Sequence, residues 1–376
     1  MDDELRAGRS RGPLHGVPIT VKDIIDVAGL PTRAGSEAYD EMPKVDAASV
    51  ARLRSAGALP FAKVATHEFA LGVVTPQCRN PHDPTRLSGG SSGGSAIAVA
   101  TGVGLASLGT DTRASLRVPA ALCGVVGFKP TFGSVPTGGV VPLSWTVDHI
   151  GPIARDMADA ALLLEVLIAD YRRFTSPGDG RRLVVGIVEE VLEDAEPEVS
   201  AVCASALAAL EVAGCGLVDV PVPGVAELEA ANATGLVVSR SEAAAYHRAR
   251  GTDTSRCIAE VRDQLEAALG IAAVDYLDAQ RQRLVLAERA GAAFALCDVV
   301  AMPATPMVAP RLDDYERHLL RLSRNTILWS LCGYPAVALP VGAGAGDLPV
   351  GLQLSARPGS EADLVAAGLL LERVLA

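Results

Sequence analysis

The sequence has no C-x-x-C pair, no basic run interleaved with aromatics, and no apolar stretch long enough to cross a membrane. Each absence excludes a class of protein. The seven cysteines, Cys78, Cys123, Cys203, Cys215, Cys257, Cys297 and Cys332, are odd in number and scattered. That argues against a zinc site or a disulfide framework and for reduced thiols in a cytosol. Basic residues are in deficit, 33 Lys+Arg against 44 Asp+Glu, for a net charge of −11. Such a surface repels phosphate backbones and anionic lipid, so neither nucleic acid nor membrane is expected as a partner. The longest uncharged stretch, Leu87 to Thr110, opens Ser/Gly-rich. Its apolar part falls short of the ~20 residues of a membrane helix. Met1-Asp2-Asp3-Glu4 is acidic where a signal peptide would be basic. These readings together predict a cytoplasmic protein.

Several catalytic signatures are missing as well. None of the six histidines, His15, His67, His82, His149, His247 and His318, is accompanied by a G-x-S-x-G nucleophile elbow. His67-Glu68 lacks the second histidine of H-E-x-x-H. No Walker A sequence is present, and no G-x-G-x-x-G follows a strand. Metal and cofactor are therefore not expected.

What is present is 376 residues of ordinary globular composition, 49% hydrophobic and 20% charged. The length allows two domains or one large one. Residues 17–21 predict a strand running into Lys22, 47–57 a helix, and 60–66 a strand. Residues 72–95 predict a long loop, and the all-round apolar run from Ser95 to about 105 a buried helix. A second loop is expected over 109–120, strands near 124–129, and a helix over 156–169. The polar stretch 171–182 is the best candidate linker. A strand over 183–189 and a helix after Pro197 follow, the helix with Val199, Cys203, Leu207 and Leu210 on one stripe. Then come a long helix over 272–296, a strand over 298–302, strands over 336–340 and 350–355, and a closing helix from Ser360. Strands and helices mixed throughout predict an α/β fold around one sheet.

Two loops stand out. Gly89-Gly90-Ser91-Ser92-Gly93-Gly94-Ser95 has a linker's composition, but it runs straight into the most apolar helix, where a linker has no place. Glycine there allows close backbone approach, and serine hydroxyls suit a site that handles negative charge. The second loop, Gly109-Thr110-Asp111-Thr112-Arg113-Ala114-Ser115-Leu116-Arg117-Val118-Pro119-Ala120, is dense in hydroxyls between apolar segments. Lys22 stands between VPITV and IIDVAG. On the surface it would extend its ammonium to water; enclosed, its pKa falls and it can act as a base. Ser–Lys pairs are an alternative to Ser–His–Asp for activating a serine.

These residues resemble the amidase signature family. Ser91 and Ser115 stand 24 positions apart, the separation of that family's bridging serine and nucleophile. Pro13-Leu14-His15-Gly16-Val17-Pro18-Ile19-Thr20-Val21-Lys22-Asp23 is similar to its lysine motif. Arg79-Asn80-Pro81, Asp148-His149-Ile150-Gly151-Pro152 and Leu348-Pro349-Val350-Gly351-Leu352-Gln353 also fit. The likeness runs from about Gly12 to the C-terminus and is weakest between 172 and 300. It implies a single large domain over 1–376, with a mixed β-sheet core covered by helices on both faces and a variable, mainly helical region at about 190–297. It implies an amidase that needs no cofactor or metal, acts on a small-molecule amide and is compatible with a homodimer. Ser115 would be the nucleophile, Ser91 the relay after a cis peptide bond, and Lys22 the base. Backbone N–H groups of Thr112, Arg113, Ala114 and Ser115 would form the oxyanion hole, while Asp111 and Arg117 brace the loop.

Two departures accompany the likeness. Arg113-Ala114 replaces a usual glycine pair, which implies a reshaped oxyanion loop. Arg113 then becomes a candidate for binding a substrate carboxylate, or else crowds the pocket. Only 21 residues precede Lys22, which implies a more open pocket or a chain that starts late. Two other functions fit the same motifs: the amidase-like component of a tRNA-dependent amidotransferase, and a repurposed homologue with an altered oxyanion loop.

Overall fold

The computed structural model describes residues 1–168 and 182–376. Among these residues ten strands form one sheet. They are β1 (Pro18–Lys22), β2 (Leu59–Val64), β3 (Ala106–Asp111), β4 (Val126–Lys129), β5 (His149–Ala154), β6 (Val184–Ile187), β7 (Gly216–Asp219), β8 (Val299–Pro303), β9 (Ala336–Ala343) and β10 (Pro349–Ala356). Their spatial order is β2-β1-β3-β5-β4-β9-β10-β8-β6-β7. The two ends of the sheet are parallel, β2-β1-β3 and β8-β6-β7. The centre is antiparallel. This is the single mixed sheet of an α/β domain. Strands β3, β4, β5, β8 and β10 are buried at every position. A strand buried throughout is covered on both faces, so alternation could not have revealed it.

Most sequence-predicted elements are present, with differences at the two loops. The apolar helix spans Gly93–Ala100 and is shorter than its apolar run suggests. Thr101 to Leu105 turn, and Ala106–Asp111 is strand β3, so the run passes there into a buried strand. The second loop is confined to residues 112–116, because helix Arg117–Cys123 follows at once. That helix ends at Gly124, whose φ of 71° closes it in the left-handed conformation. Among the elements with no counterpart in the sequence reading are strands β5 and β7 and the helices Val225–Arg250, Ala259–Ala268 and Leu319–Leu331. The expected linker at 171–182 lies, Arg182 apart, outside the described residues.

The site is positioned by two short helices that pack on each other. Ala96 and Val99 of Gly93–Ala100 meet Leu116, Ala120 and Cys123, with Ile153 of β5 beneath them. Their approach to the sheet requires a missing side chain. A Cβ on Gly94 would lie 2.5 Å from the Ala65 carbonyl oxygen, a backbone atom that cannot move aside. Alanine is favoured over glycine in a helix by about 1 kcal/mol, but overpacking of this kind costs about 1–3 kcal/mol. Gly94→Ala is therefore expected to lower the denaturant midpoint. An unchanged or raised midpoint in urea unfolding would show that the helix is not seated this closely.

Candidate active site

Lys22 is the last residue of β1, and β3 runs beside it, with Val21 opposite Leu108. Its side chain turns inward and is fully buried. Nζ lies 2.7 Å from Ser91 Oγ and 2.8 Å from Thr110 Oγ1. Burial drives the lysine pKa down to about 7, and the more distant Asp111 and Asp148 carboxylates only partly oppose it. The surface-lysine alternative is thereby excluded. Every residue of 89–95 is buried too, so the Gly/Ser run is not a linker.

The Ser91 peptide is held from three sides. Its carbonyl accepts from the His67 N–H at 3.2 Å and from the Thr75 hydroxyl at 3.2 Å, while Thr75 Oγ1 in turn accepts from the Gly93 N–H. The Gly90–Ser91 bond is cis. Glycine at 90 is needed because a Cβ there would lie 2.2 Å from the Val74 carbonyl oxygen. Ser92 ties the two loops together. Its hydroxyl donates to the Thr110 carbonyl at 3.1 Å, and its N–H donates to the Ser115 carbonyl at 3.3 Å. Ser115 is 5% exposed, whereas Ser91 and Lys22 are wholly enclosed. Of the three predicted residues, Ser115 alone keeps any opening to the outside.

The N–H groups of Thr112, Arg113, Ala114 and Ser115 donate to nothing among the described residues. Buried backbone donors are seldom left so. Neither Arg113 nor Ala114 has a positive φ. The backbone path at 113–114 is thus open to any L-residue, and the loss of the glycine pair does not force strain there.

The loop is braced from beneath. Arg117 donates to both Asp111 oxygens at 3.0 Å, and both side chains are fully buried. Its remaining donors reach the Thr326 carbonyl at 2.8 Å, Gln353 Oε1 at 2.6 Å and Ser330 Oγ at 2.5 Å. Burial alone would raise the Asp111 carboxyl, but the Arg117 guanidinium overcomes that and holds it well below the usual carboxylate range.

Two groups at the site escaped the sequence reading. Thr110 is the second partner of Lys22. Asp148 accepts from the Thr112 hydroxyl at 2.6 Å and from the N–H groups of Leu143 and Ser144. Burial raises its carboxyl to about 7, against those hydrogen bonds. Both lie inside quoted motifs, and a β-period reading of Leu108-Gly109-Thr110 against Lys22 could have found the first. Among the described residues, no three His, Cys, Asp or Glu side chains gather so as to hold a metal ion. No helix among them is long and apolar enough to cross a membrane.

This architecture is that of solved amide-cleaving enzymes. The crystal structure of an amidase superposes with a TM-score of 0.90 at 39% identity, covering 99% of this chain and 87% of that one. The chain belongs to the amidase family, whose model matches residues 1–365. It is 38% identical to an amidase of Pseudomonas putida, over 99% of this chain and 84% of that protein. It is 37% identical to a glutamyl-tRNA(Gln) amidotransferase component from Anaeromyxobacter sp. (strain K), over 100% of this chain and 85% of that protein.

Removing one partner of a buried ion pair leaves the other charge uncompensated, at a cost of about 3–5 kcal/mol. Arg117→Ala is expected to destabilise the fold by that amount in urea unfolding. Arg117→Lys should restore only part, because a lysine cannot serve Asp111, Gln353 and the Thr326 carbonyl together. A loss below about 1 kcal/mol, the worth of an exposed pair, would contradict the brace.

Proposed function

We propose that the chain hydrolyses the C–N bond of a small linear carboxamide through a serine acyl-enzyme, with Ser115 as nucleophile, Ser91 as relay and Lys22 as base. The observation that carries this reading is the enclosed Lys22, bonded to Ser91 and without a carboxylate in contact. At pH above its lowered pKa, the amine is neutral and can accept a proton. Ser115 Oγ attacks the carbonyl carbon while its proton passes to Ser91, and the Ser91 proton passes to Lys22 Nζ. The carbonyl oxygen becomes an oxyanion received by the unpartnered N–H groups of residues 112–115. Collapse breaks the C–N bond, and the leaving nitrogen takes a proton back from Ser91, which Lys22 replenishes. Water then attacks the ester by the same relay, releasing the acid and restoring Ser115. The cytosol is the compartment this reading assigns.

The likeness to an amidotransferase component supports a second reading, in which the ammonia released is passed to an acceptor in a larger assembly. Glutamine hydrolysis that rises several-fold with a co-purified partner would favour it over free hydrolysis.

Ser115→Ala is expected to abolish amide turnover while moving the thermal midpoint little, since it removes one oxygen at a partly open position. Hydroxylamine should divert the parent's acyl group to a hydroxamate. Turnover retained in Ser115→Ala would exclude Ser115 as the nucleophile.

For Lys22, the required form is the neutral one. Activity is therefore present above the lowered pKa and is lost as the pH falls through about 7. The kcat/KM profile should show an acid limb centred there. Lys22→Ala should lower kcat/KM by about 10²-fold or more, the usual worth of a positioned base. Full activity in that variant, with the acid limb intact, would return Lys22 to a structural role.

A further inference from the structure

The side chains of Arg113 and Arg240 take no part in the chemistry above, yet both are partly withdrawn from water. Arg113 stands two residues before Ser115, and its side chain reaches toward helix Val225–Arg250. Its Nη1 donates to Asn232 Oδ1 at 3.4 Å, a long bond. Its Cδ lies 3.6 Å from where a Cβ on Gly235 would stand. Asn232 is pinned by donating to the Leu320 carbonyl at 2.9 Å, so its oxygen is committed to the arginine side. Arg240 comes from the same helix, and its Nε donates to Gln264 Oε1 at 3.1 Å. Both guanidinium groups are half-buried.

Neither has a carboxylate within ion-pair distance among the described residues. Glu260 acts on Arg240 through space, but its oxygens face elsewhere: one lies 3.6 Å from His67 Nε2 and the other accepts from Gln264. Other arginines in the chain are treated differently. The fully buried ones each hold an aspartate, Arg117 with Asp111 and Arg324 with Asp194. Arg283, also half-buried, fills its fork with the Thr146 carbonyl and hydroxyl, the Leu331 carbonyl and Gln280. Arg113 has one long bond, and Arg240 has one. Burial pulls the Arg113 pKa down to about 10, and the positive charge of Arg240 adds to the effect. Two guanidinium groups within electrostatic reach of each other, short of acceptors, are an arrangement completed by an anion.

The geometry points to a carboxylate-binding subsite formed by Arg113 and Arg240 beside Ser115, so that the substrate is an amide bearing a carboxylate near the scissile bond. With one Arg113 donor on Asn232 and one Arg240 donor on Gln264, each fork keeps N–H groups for a carboxylate, which guanidinium planes grip with two parallel bonds. Asn232 and Gln264 act as positioning residues that fix the two forks. The inference rests on Ser115 as the reacting residue and deepens that reading by naming the substrate class.

The test compares succinamate with 4-oxopentanamide, which has the same shape but a methyl ketone for the carboxylate. kcat/KM is measured for both in the parent, Arg113→Gln and Arg240→Gln. The parent is expected to prefer succinamate, and each variant to lower the acid-to-neutral ratio by about 30-fold or more, the scale of truncating one partner of a desolvated charge pair. Arg240→Gln is the sharper of the two, because it lies on a different element from the nucleophile and leaves the oxyanion loop's sequence intact. Equal losses on both amides, or a parent that prefers the neutral one, would overturn the subsite while leaving Ser115 catalysis standing. Should neither amide be turned over, calorimetric titration of succinate into Ser115→Ala, with and without Arg240→Gln, tests the subsite alone. Binding weakened by the second substitution supports it, and binding absent or unchanged overturns it.

Discussion

A lysine enclosed without a counter-ion is the constraint on which the rest of the site depends. A buried ammonium loses its hydration, and no carboxylate stands close enough to replace it, so the neutral amine is favoured. The partners chosen for it are hydroxyls, Ser91 and Thr110. A hydroxyl can both donate and accept, so a proton has somewhere to come from and somewhere to go. The chain contains a contrast. Lys129 is also fully buried and its pKa also falls, but its Nζ is bonded to the Pro130 and Tyr334 carbonyls. Carbonyls only accept, so Lys129 is a structural tie, whereas Lys22 has the partners that the proposed relay needs.

Holding that lysine in place requires the sheet to deliver it and two loops to cover it. Strand β1 supplies the residue and β3 supplies Thr110 at the matching level. The Ser92 hydroxyl and N–H then join the Gly/Ser loop to the loop that carries Ser115, so neither can shift without the other. Arg117 extends the same network outward to helix Leu319–Leu331 and to β10 through Thr326, Ser330 and Gln353. The position of Ser115 is therefore set by groups more than two hundred residues away in sequence. Electrostatically the layers alternate: a neutral amine, hydroxyls, then a fully compensated ion pair.

Lys22 and the two serine loops could be singled out because each is odd for its surroundings, a lysine closing a β-rich run and hydroxyl-rich loops against apolar segments; the roles proposed for Lys22, Ser91 and Ser115 came from the resemblance to the amidase signature family. The structure brings Lys22 and Ser91 into contact and lays the Ser115 backbone beside Ser92. Strand β3 was misread because residues 106–111 are buried at every position, and a strand buried on both faces shows no alternation. Helix Val225–Arg250 escaped because its buried positions include Asn232, Thr234, Ser239 and Glu242, which read as polar surface. Those polar side chains find partners only in the tertiary structure: Glu242, for example, takes Ser144, Thr146 and Tyr276. A hydrophobic pattern cannot anticipate a helix whose inner face is built for hydrogen bonding.

The replacement of a glycine pair by Arg113-Ala114 shows how the two kinds of information meet. From sequence, glycine's conformational freedom is the property lost, and a deformed anion hole is the natural expectation. In the structure neither residue has a positive φ, and the N–H groups of residues 112–115 have no partner among the described residues. What changes is the side chain. Ala114 is swallowed by the apolar cluster of Val118 and Leu122, whereas Arg113 crosses to the helix that patterning failed to reveal. The loop's backbone is thus open to the proposed task of receiving an oxyanion, and its side chain to the proposed one of sorting substrates by charge. Such a division of labour would let a pocket change its preference without disturbing the proposed relay, because the Arg113 side chain is directed to Asn232 rather than to Lys22, Ser91 or Asp111.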